Sequence, residues 1–238
     1  MKGRWMRKWL LWLVVGCCTD LALAAKPLHL LTQEQDPYAM QLAGGEQHGL
    51  AVEAVRCALG SLALPAKVQF VAWARAQRRV ESGEADGYFP ASRNPQRDSL
   101  SQWFGPVAPQ QWRWYLRSDS RMDPLAPGFR EYARVGAYAG SNMLHWLQEQ
   151  HYQVTVSPPE HDQMLDVLLA GRADAVLAAD LAMDKLVAQR GAANRVRSVL
   201  AQDKPLGLYL SHRFLAQQPP AFAARLQQAL ASCRPATP

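Results

Sequence analysis

Lys67-Val-Gln-Phe-Val71, then Trp73-Ala-Arg-Ala-Gln-Arg-Arg-Val-Glu-Ser82, then Gly83-Glu-Ala, then Asp86-Gly-Tyr-Phe89, form the stretch that decides the fold. Residues 67–71 alternate polar and apolar side chains, the period of a half-buried strand. Residues 73–82 place Trp73, Ala76 and Val80 at helical spacing, and Gly83 stops that helix. Asp86 to Phe89 is a second short strand, with Pro90 set to end it. Strand, helix and strand in about two dozen residues is the rhythm of a βαβ unit, whose strands run parallel.

The same rhythm extends in both directions. Leu28 to Thr32 reads as a strand. Asp36-Pro37-Tyr38 and Gly44-Gly45 break the chain, and Leu50 to Leu62 reads as a helix. Gln111 to Arg117 is an aromatic-rich strand, and the polar, Pro-containing stretch Ser118 to Gly128 looks like a junction. The pattern then repeats. Ala133–Tyr138, Val154–Val156, Ala173–Ala178, Val196–Leu200 and Leu206–Leu210 read as strands. Ser141–Gln150, Asp162–Leu169, Leu181–Arg190 and Pro219–Cys233 read as helices. These elements predict an α/β chain of two lobes, each a mostly parallel sheet flanked by helices. Lobe 1 is expected at 26–117 plus about 206–238, and lobe 2 at about 118–205. Two crossings would form a hinge. Ligands of open α/β sheets bind beyond the carboxyl ends of the strands, so facing lobes make a cleft.

The amino terminus carries a different message. Lys2, Arg4, Arg7 and Lys8 precede the apolar run Trp9–Val15, and Ala22 and Ala24 stand in the A-x-A relation of a signal-peptidase site. The run is shorter than the roughly 20 residues a membrane-spanning helix needs. Residues 1–25 are therefore expected to be an export signal, with the rest of the chain in the periplasm. Val14-Val15-Gly16-Cys17 also resembles a lipobox, and cleavage there would tether the protein to a membrane by a lipid on Cys17.

Removing residues 1–25 takes four of the 26 basic and one of the 20 acidic residues, so the net charge falls from +6 to +3. No block of five or more Lys and Arg remains, which argues against nucleic-acid binding. Arg75, Arg78 and Arg79, with Glu81 and Glu84, read as a solvated helix face. The six histidines show no metal-ligand spacing, and neither metal nor cofactor is expected. Of the four cysteines, only Cys57 and Cys233 survive cleavage at Ala24 or Ala25. In an oxidising compartment they are expected to pair, the other possibility being two buried thiols.

Gly83-Glu-Ala-Asp86, the strand after it, Ser92-Arg-Asn-Pro-Gln-Arg97 and Trp103-Phe104-Gly105-Pro106 are the most specific residues in the chain. They resemble the family 3 extracellular solute-binding proteins, periplasmic receptors for polar amino acids, which carry G-x-x-D, then S-x-T-x-E-R, then F-S-x-P-Y. Asn94, Gln96, Gly105 and Val107 depart from that pattern. Val135-Gly136-Ala-Tyr-Ala-Gly140-Ser141-Asn142 is similar to the family's V-G-V-x-x-G-T-T. Gly171-Arg-Ala-Asp174-Ala-Val-Leu-Ala-Ala-Asp180 is similar to its G-x-x-D-A-x-x-x-D.

The resemblance implies a ligand site for a small amino acid or related zwitterion. Arg97 would receive the α-carboxylate on its two-donor fork, with Ser92 beside it. Ser141 and Asn142 would add the N–H groups of a helix start from the second lobe. Asp180 would accept the α-ammonium, although an Asp before a helix is equally placed as a cap. Tyr38 and Trp73, after the first two strands, would frame the ligand with aromatic faces. Trp112, Trp114 and Asp174 are expected to be structural. The function implied is capture and closure by a monomer, without covalent chemistry, for an ABC permease. Three alternatives stand beside it: an enzyme of the cyclohexadienyl dehydratase kind on the same fold, a module that presents ligand to a membrane sensor, and a degenerate member, suggested by Asn94, Gln96, Gly105 and Val107, that binds nothing with a free amino acid backbone.

Overall fold

The computed structural model describes residues 26–159 and 162–234. The expected signal, with Ala22, Ala24 and Cys17, lies outside the described residues. In chain order the elements are β1 (Leu28–Thr32), β2 (Met40–Gln41), β3 (Gln47–His48), α1 (Leu50–Ser61), β4 (Ala66–Phe70), α2 (Trp73–Glu81) and β5 (Gly87–Ser92). Next come α3 (Pro95–Leu100), β6 (Ser101–Ala108), β7 (Gln111–Arg117), α4 (Phe129–Tyr132), β8 (Arg134–Gly136), α5 (Asn142–Glu149) and β9 (Gln153–Val156). The chain continues through α6 (Asp162–Leu169), β10 (Ala175–Ala179), α7 (Asp180–Gln189), β11 (Val196–Asp203), β12 (Leu206–Ser211), α8 (His212–Leu215) and α9 (Phe222–Ser232).

Two five-stranded sheets organise these elements, in the orders β4-β1-β5-β12-β6 and β11-β7-β10-β8-β9. In the first, β4, β1 and β5 are parallel and β12 is antiparallel to both its neighbours. In the second, β10, β8 and β9 are parallel and β7 is antiparallel to both its neighbours. One strand in each sheet thus runs against the rest, and the sheets are mostly parallel as expected.

Those two strands correct the expected lobe boundary. β7 pairs in the second sheet, so the first crossing falls at Pro109-Gln110 and not after Arg117. The reason is packing. Trp112, Trp114 and Leu116 enter a core with Phe129, Val135, Leu147 and Leu177. Tyr115, pointing the other way, joins Met164, Leu168 and Val176. A strand buried on both faces belongs in the middle of a sheet. The second connection between the sheets is Lys204-Pro205.

Pro90 does not end β5; the strand runs on to Ser92. The register between β12 and β5 shifts between Gly207 and Tyr209, opposite the proline, so the ladder bypasses the residue that cannot donate. The strand β6, absent from the periodicity reading, forms the sheet edge beyond β12.

The two G-x-x-D segments do the same work in the two sheets. Gly83 and Gly171 follow α2 and α6 with φ of +80° and +68°. Asp86 then accepts the His29 backbone N–H at 2.8 Å, and Asp174 accepts that of Arg134 at 2.9 Å. Each Asp backbone N–H is returned to the same partner's carbonyl. Asp174 is therefore structural, as expected.

Helix α1 packs Val52, Val55 and Leu59 on the first sheet beside Leu226 and Leu230 of α9. Cys57, on its outer face, forms a disulfide with Cys233 just after α9, with Cα atoms 5.8 Å apart. Among the described residues no helix is long and apolar enough to cross a membrane.

Candidate functional site

The site is assembled where β5 runs into α3. Asn94 caps α3, its Oδ1 accepting the Arg97 backbone N–H at 2.7 Å, and Pro95 occupies the first turn, where a missing N–H is harmless. This fixes Arg97 pointing inward. Arg97 is only 8% exposed. Nη1 donates to the Ser92 carbonyl at 2.9 Å and Nε to Gln77 Oε1 at 3.4 Å. The guanidinium carbon stands 5.2 Å from the centre of the Trp73 ring.

Among the described residues no carboxylate forms an ion pair with Arg97. Its neighbour Asp98 is engaged by Arg93 at 2.9 Å and by the Tyr209 hydroxyl at 2.7 Å. Burial pulls the Arg97 guanidinium below its ordinary value, with nearby Tyr88, Tyr209 and Asp98 acting the other way. The same burial pushes the Tyr88 phenol up to about 12. Below that range Tyr88 is neutral and gives Arg97 no counter-charge. A buried cation without an anionic partner is costly, and an anion from outside would relieve that cost.

The second lobe meets this centre through α5. Ser141 caps the helix, accepting the Leu144 N–H at 3.1 Å. Asn142, at its first turn, reaches across and donates to Ser92 Oγ at 2.8 Å and to the Ser92 carbonyl at 3.0 Å. Asn94 Nδ2 in turn donates to Asn142 Oδ1. The lobes are bridged elsewhere by Lys185 with Asp36, at 2.5 Å, and by the Tyr38 hydroxyl donating to Asp180 Oδ1 at 3.3 Å.

Between the lobes lies a narrow gap of about 50 Å³ that opens to solvent. Trp73, Ser92, Arg97, Ser141 and Asn142 line it, so five of the seven expected ligand residues come together. Tyr38 and Asp180 do not line it. Tyr38 is fully buried in the first core. Asp180 starts α7 and accepts the Gln111 backbone N–H at 3.0 Å as well as the Tyr38 hydroxyl. Burial, and then the Asp180 charge, drive the Tyr38 phenol above its ordinary value, so it remains a donor. These two residues serve the crossing between lobes and not the cavity wall.

Other wall residues were not anticipated. Gln33, Gln35 and Gln110 contribute amides, and Tyr138, Met143 and Trp112 are among the other lining residues. Trp112 was expected to be purely structural. It does pack into the second core, but it also follows the first crossing directly and therefore faces the gap. Gln33 and Gln35 follow β1, the position a strand-end rule would have flagged.

Compared with known proteins, no protein-family model matches the chain, and no curated protein matches its sequence. Solved structures do match. A histidine kinase sensor domain with similarity to periplasmic binding proteins aligns with a TM-score of 0.73 at 19% identity, over 88% of this chain and 90% of the other. The arginine-, lysine-, histidine-binding protein ArtJ from the thermophilic bacterium Geobacillus stearothermophilus gives 0.69 at 13% identity, over 87% and 89%. An ancestral amino acid-binding protein described as a precursor of cyclohexadienyl dehydratase gives 0.66 at 14% identity, over 87% and 88%. The chain has the two-lobed fold of the periplasmic binding proteins.

Proposed function

We propose that this protein is an exported solute receptor, similar to the family 3 extracellular solute-binding proteins. It closes its lobes on a small amino-acid-like solute, which it holds by a carboxylate. The observation that carries this reading is Arg97: a buried guanidinium with no carboxylate partner among the described residues, set in a gap walled by both lobes. A guanidinium offers a carboxylate two parallel donors, and the second lobe supplies Ser141 and Asn142 at a helix start. Binding energy from both walls at once is what drives closure. An ABC uptake transporter substrate binding protein from Streptococcus pneumoniae shares the fold, which supports a transport role with an ABC permease as the receiving partner and the periplasm as the site of action. The expected signal is consistent with that compartment, and the disulfide fits oxidising surroundings.

A thermal-shift screen of the twenty amino acids, their desamino and hydroxy analogues, and polyamines tests the proposal. A ligand at a hundred times its dissociation constant adds about 2.7 kcal/mol of stability. A carboxylate among the hits supports the reading, whereas hits confined to polyamines would sink it.

A second reading has one specific observation in its favour. The sensor domain of a histidine kinase aligns over most of both chains, so the same closure could report a ligand to a membrane partner. Co-purification with a permease or with a kinase ectodomain separates the two. Incubation with prephenate or arogenate, followed by carbon dioxide release, tests the enzymatic alternative.

A further inference from the structure

We infer that the cavity selects carboxylates that lack an α-ammonium group, such as 2-hydroxy acids and plain carboxylic acids, over the corresponding amino acids. The inference rests on the reading of the inter-lobe cavity as the ligand site. Its basis is the charge and hydrogen-bond inventory of the wall.

Arg97 is the single charged side chain among the described residues that line the cavity. A second cation, Lys204, stands 5.2 Å from the ring centre of Trp112, which is itself a wall residue. The carboxylate that would answer an ammonium, Asp180, is outside the wall and already accepts from Tyr38 and from the Gln111 backbone. Glu81 lies further out, at the mouth of the cleft, where Arg78 accompanies it.

An ammonium could instead be held by neutral acceptors, since it brings three N–H donors. Most of those acceptors already take at least one hydrogen bond. Gln35 Oε1 accepts from Gln33, and Gln110 Oε1 accepts from the Trp112 indole N–H. The Ser92 carbonyl accepts from both Arg97 and Asn142, and Asn142 Oδ1 accepts from Asn94. Ser141 Oγ is taken by the cap of α5. The wall therefore carries one cation and no carboxylate among the described residues, and most of its named neutral oxygens are already engaged. A zwitterion entering it would satisfy its carboxylate and leave a desolvated ammonium without a carboxylate partner, which is costly. A monoanion has no such group, and a 2-hydroxyl still makes one hydrogen bond.

The test is calorimetric titration of the purified protein with matched pairs: L-lactate and L-alanine, L-3-phenyllactate and L-phenylalanine, L-malate and L-aspartate. The hydroxy acid of the binding pair is expected to bind at least tenfold more tightly than its amino acid. An amino acid that binds as tightly as its hydroxy analogue, or more tightly, overturns the inference while leaving the receptor reading intact. If neither member of any pair binds, and the desamino analogues also fail in the thermal-shift screen, the carboxylate site itself falls and the inference with it.

Discussion

Asn142 donates its side-chain amide to both Oγ and the carbonyl of Ser92, at 2.8 and 3.0 Å, from the opposite lobe. The two residues are 50 positions apart and belong to different sheets, yet both lie where a strand end meets a helix start. The contact makes closure partly a property of the protein and not only of its ligand. Asn142→Ala is expected to shift the ligand-free protein toward the open form, because it removes hydrogen bonds worth about 1 kcal/mol each. Small-angle scattering would show a larger radius of gyration for the variant; an unchanged radius would argue that this bridge contributes nothing to closure.

Arg97→Ala should abolish most ligand affinity. Hydrogen bonds to a charged group contribute about 1.5–3 kcal/mol, so the expected loss is roughly ten- to a hundredfold. The fold should survive, since the side chain removed is a cation without a partner carboxylate among the described residues. Titration of any ligand from the screen checks this, and equal affinity in variant and wild type would end the assignment of the pocket.

Asp180→Asn should behave quite differently. An amide oxygen still accepts from Tyr38 and from the Gln111 N–H. Affinity for a carboxylate ligand is expected to stay within about threefold. A tenfold loss would mean that Asp180 reaches the ligand after all.

The Cys57–Cys233 disulfide closes a loop of 176 residues, for which the chain-entropy relation gives about 5 kcal/mol as an upper figure. The double variant Cys57→Ser, Cys233→Ser should therefore unfold at a markedly lower temperature, and the unreduced wild type should be two hydrogens lighter by mass. A mass equal to that of the reduced protein would disprove the bond.

Acid should act partly through Asp174. Hydrogen bonds from Arg134 hold its carboxyl below the ordinary value of 3.8, against a smaller opposing effect of burial. A depressed folded-state value means that this stabilisation is complete above the unfolded value and is lost as pH falls through the folded one. The pair is partly solvated, so the effect is modest. Arg134→Ala should raise the midpoint of acid unfolding, measured by circular dichroism below pH 4, and leave stability at pH 7 less affected than that of Asp174→Ala. Coincident acid transitions in Arg134→Ala and wild type would refute the role.

Much of the architecture is legible without coordinates because it is local. The periods of 2 and 3.6 mark β1, α1, β4 and α2 to within a residue or two. Ser141 could be read as a cap, and Gly83, Gly171 and Gly191 as helix stops, since such signals act over a turn of chain. Arg97 was singled out by the family resemblance alone; the Asn94 cap that starts α3 and the burial of Arg97 emerge from the structure. What the local signals could not decide was partnership at long range. β7 has the same alternation whichever sheet it joins; burial of Trp114 against Phe129 and Tyr152 assigns it to the second. Asp180 was equally suited to cap a helix or to meet an ammonium. The approach of Tyr38, 142 residues earlier, and of the Gln111 backbone N–H shows its carboxylate engaged at the crossing. The amino-acid sequence by itself determined two α/β lobes and the G-x-x-D segments that follow their helices. Tertiary structure alone decided which charges face the cavity, because a charge's partner is set by distance in space and not by spacing along the chain.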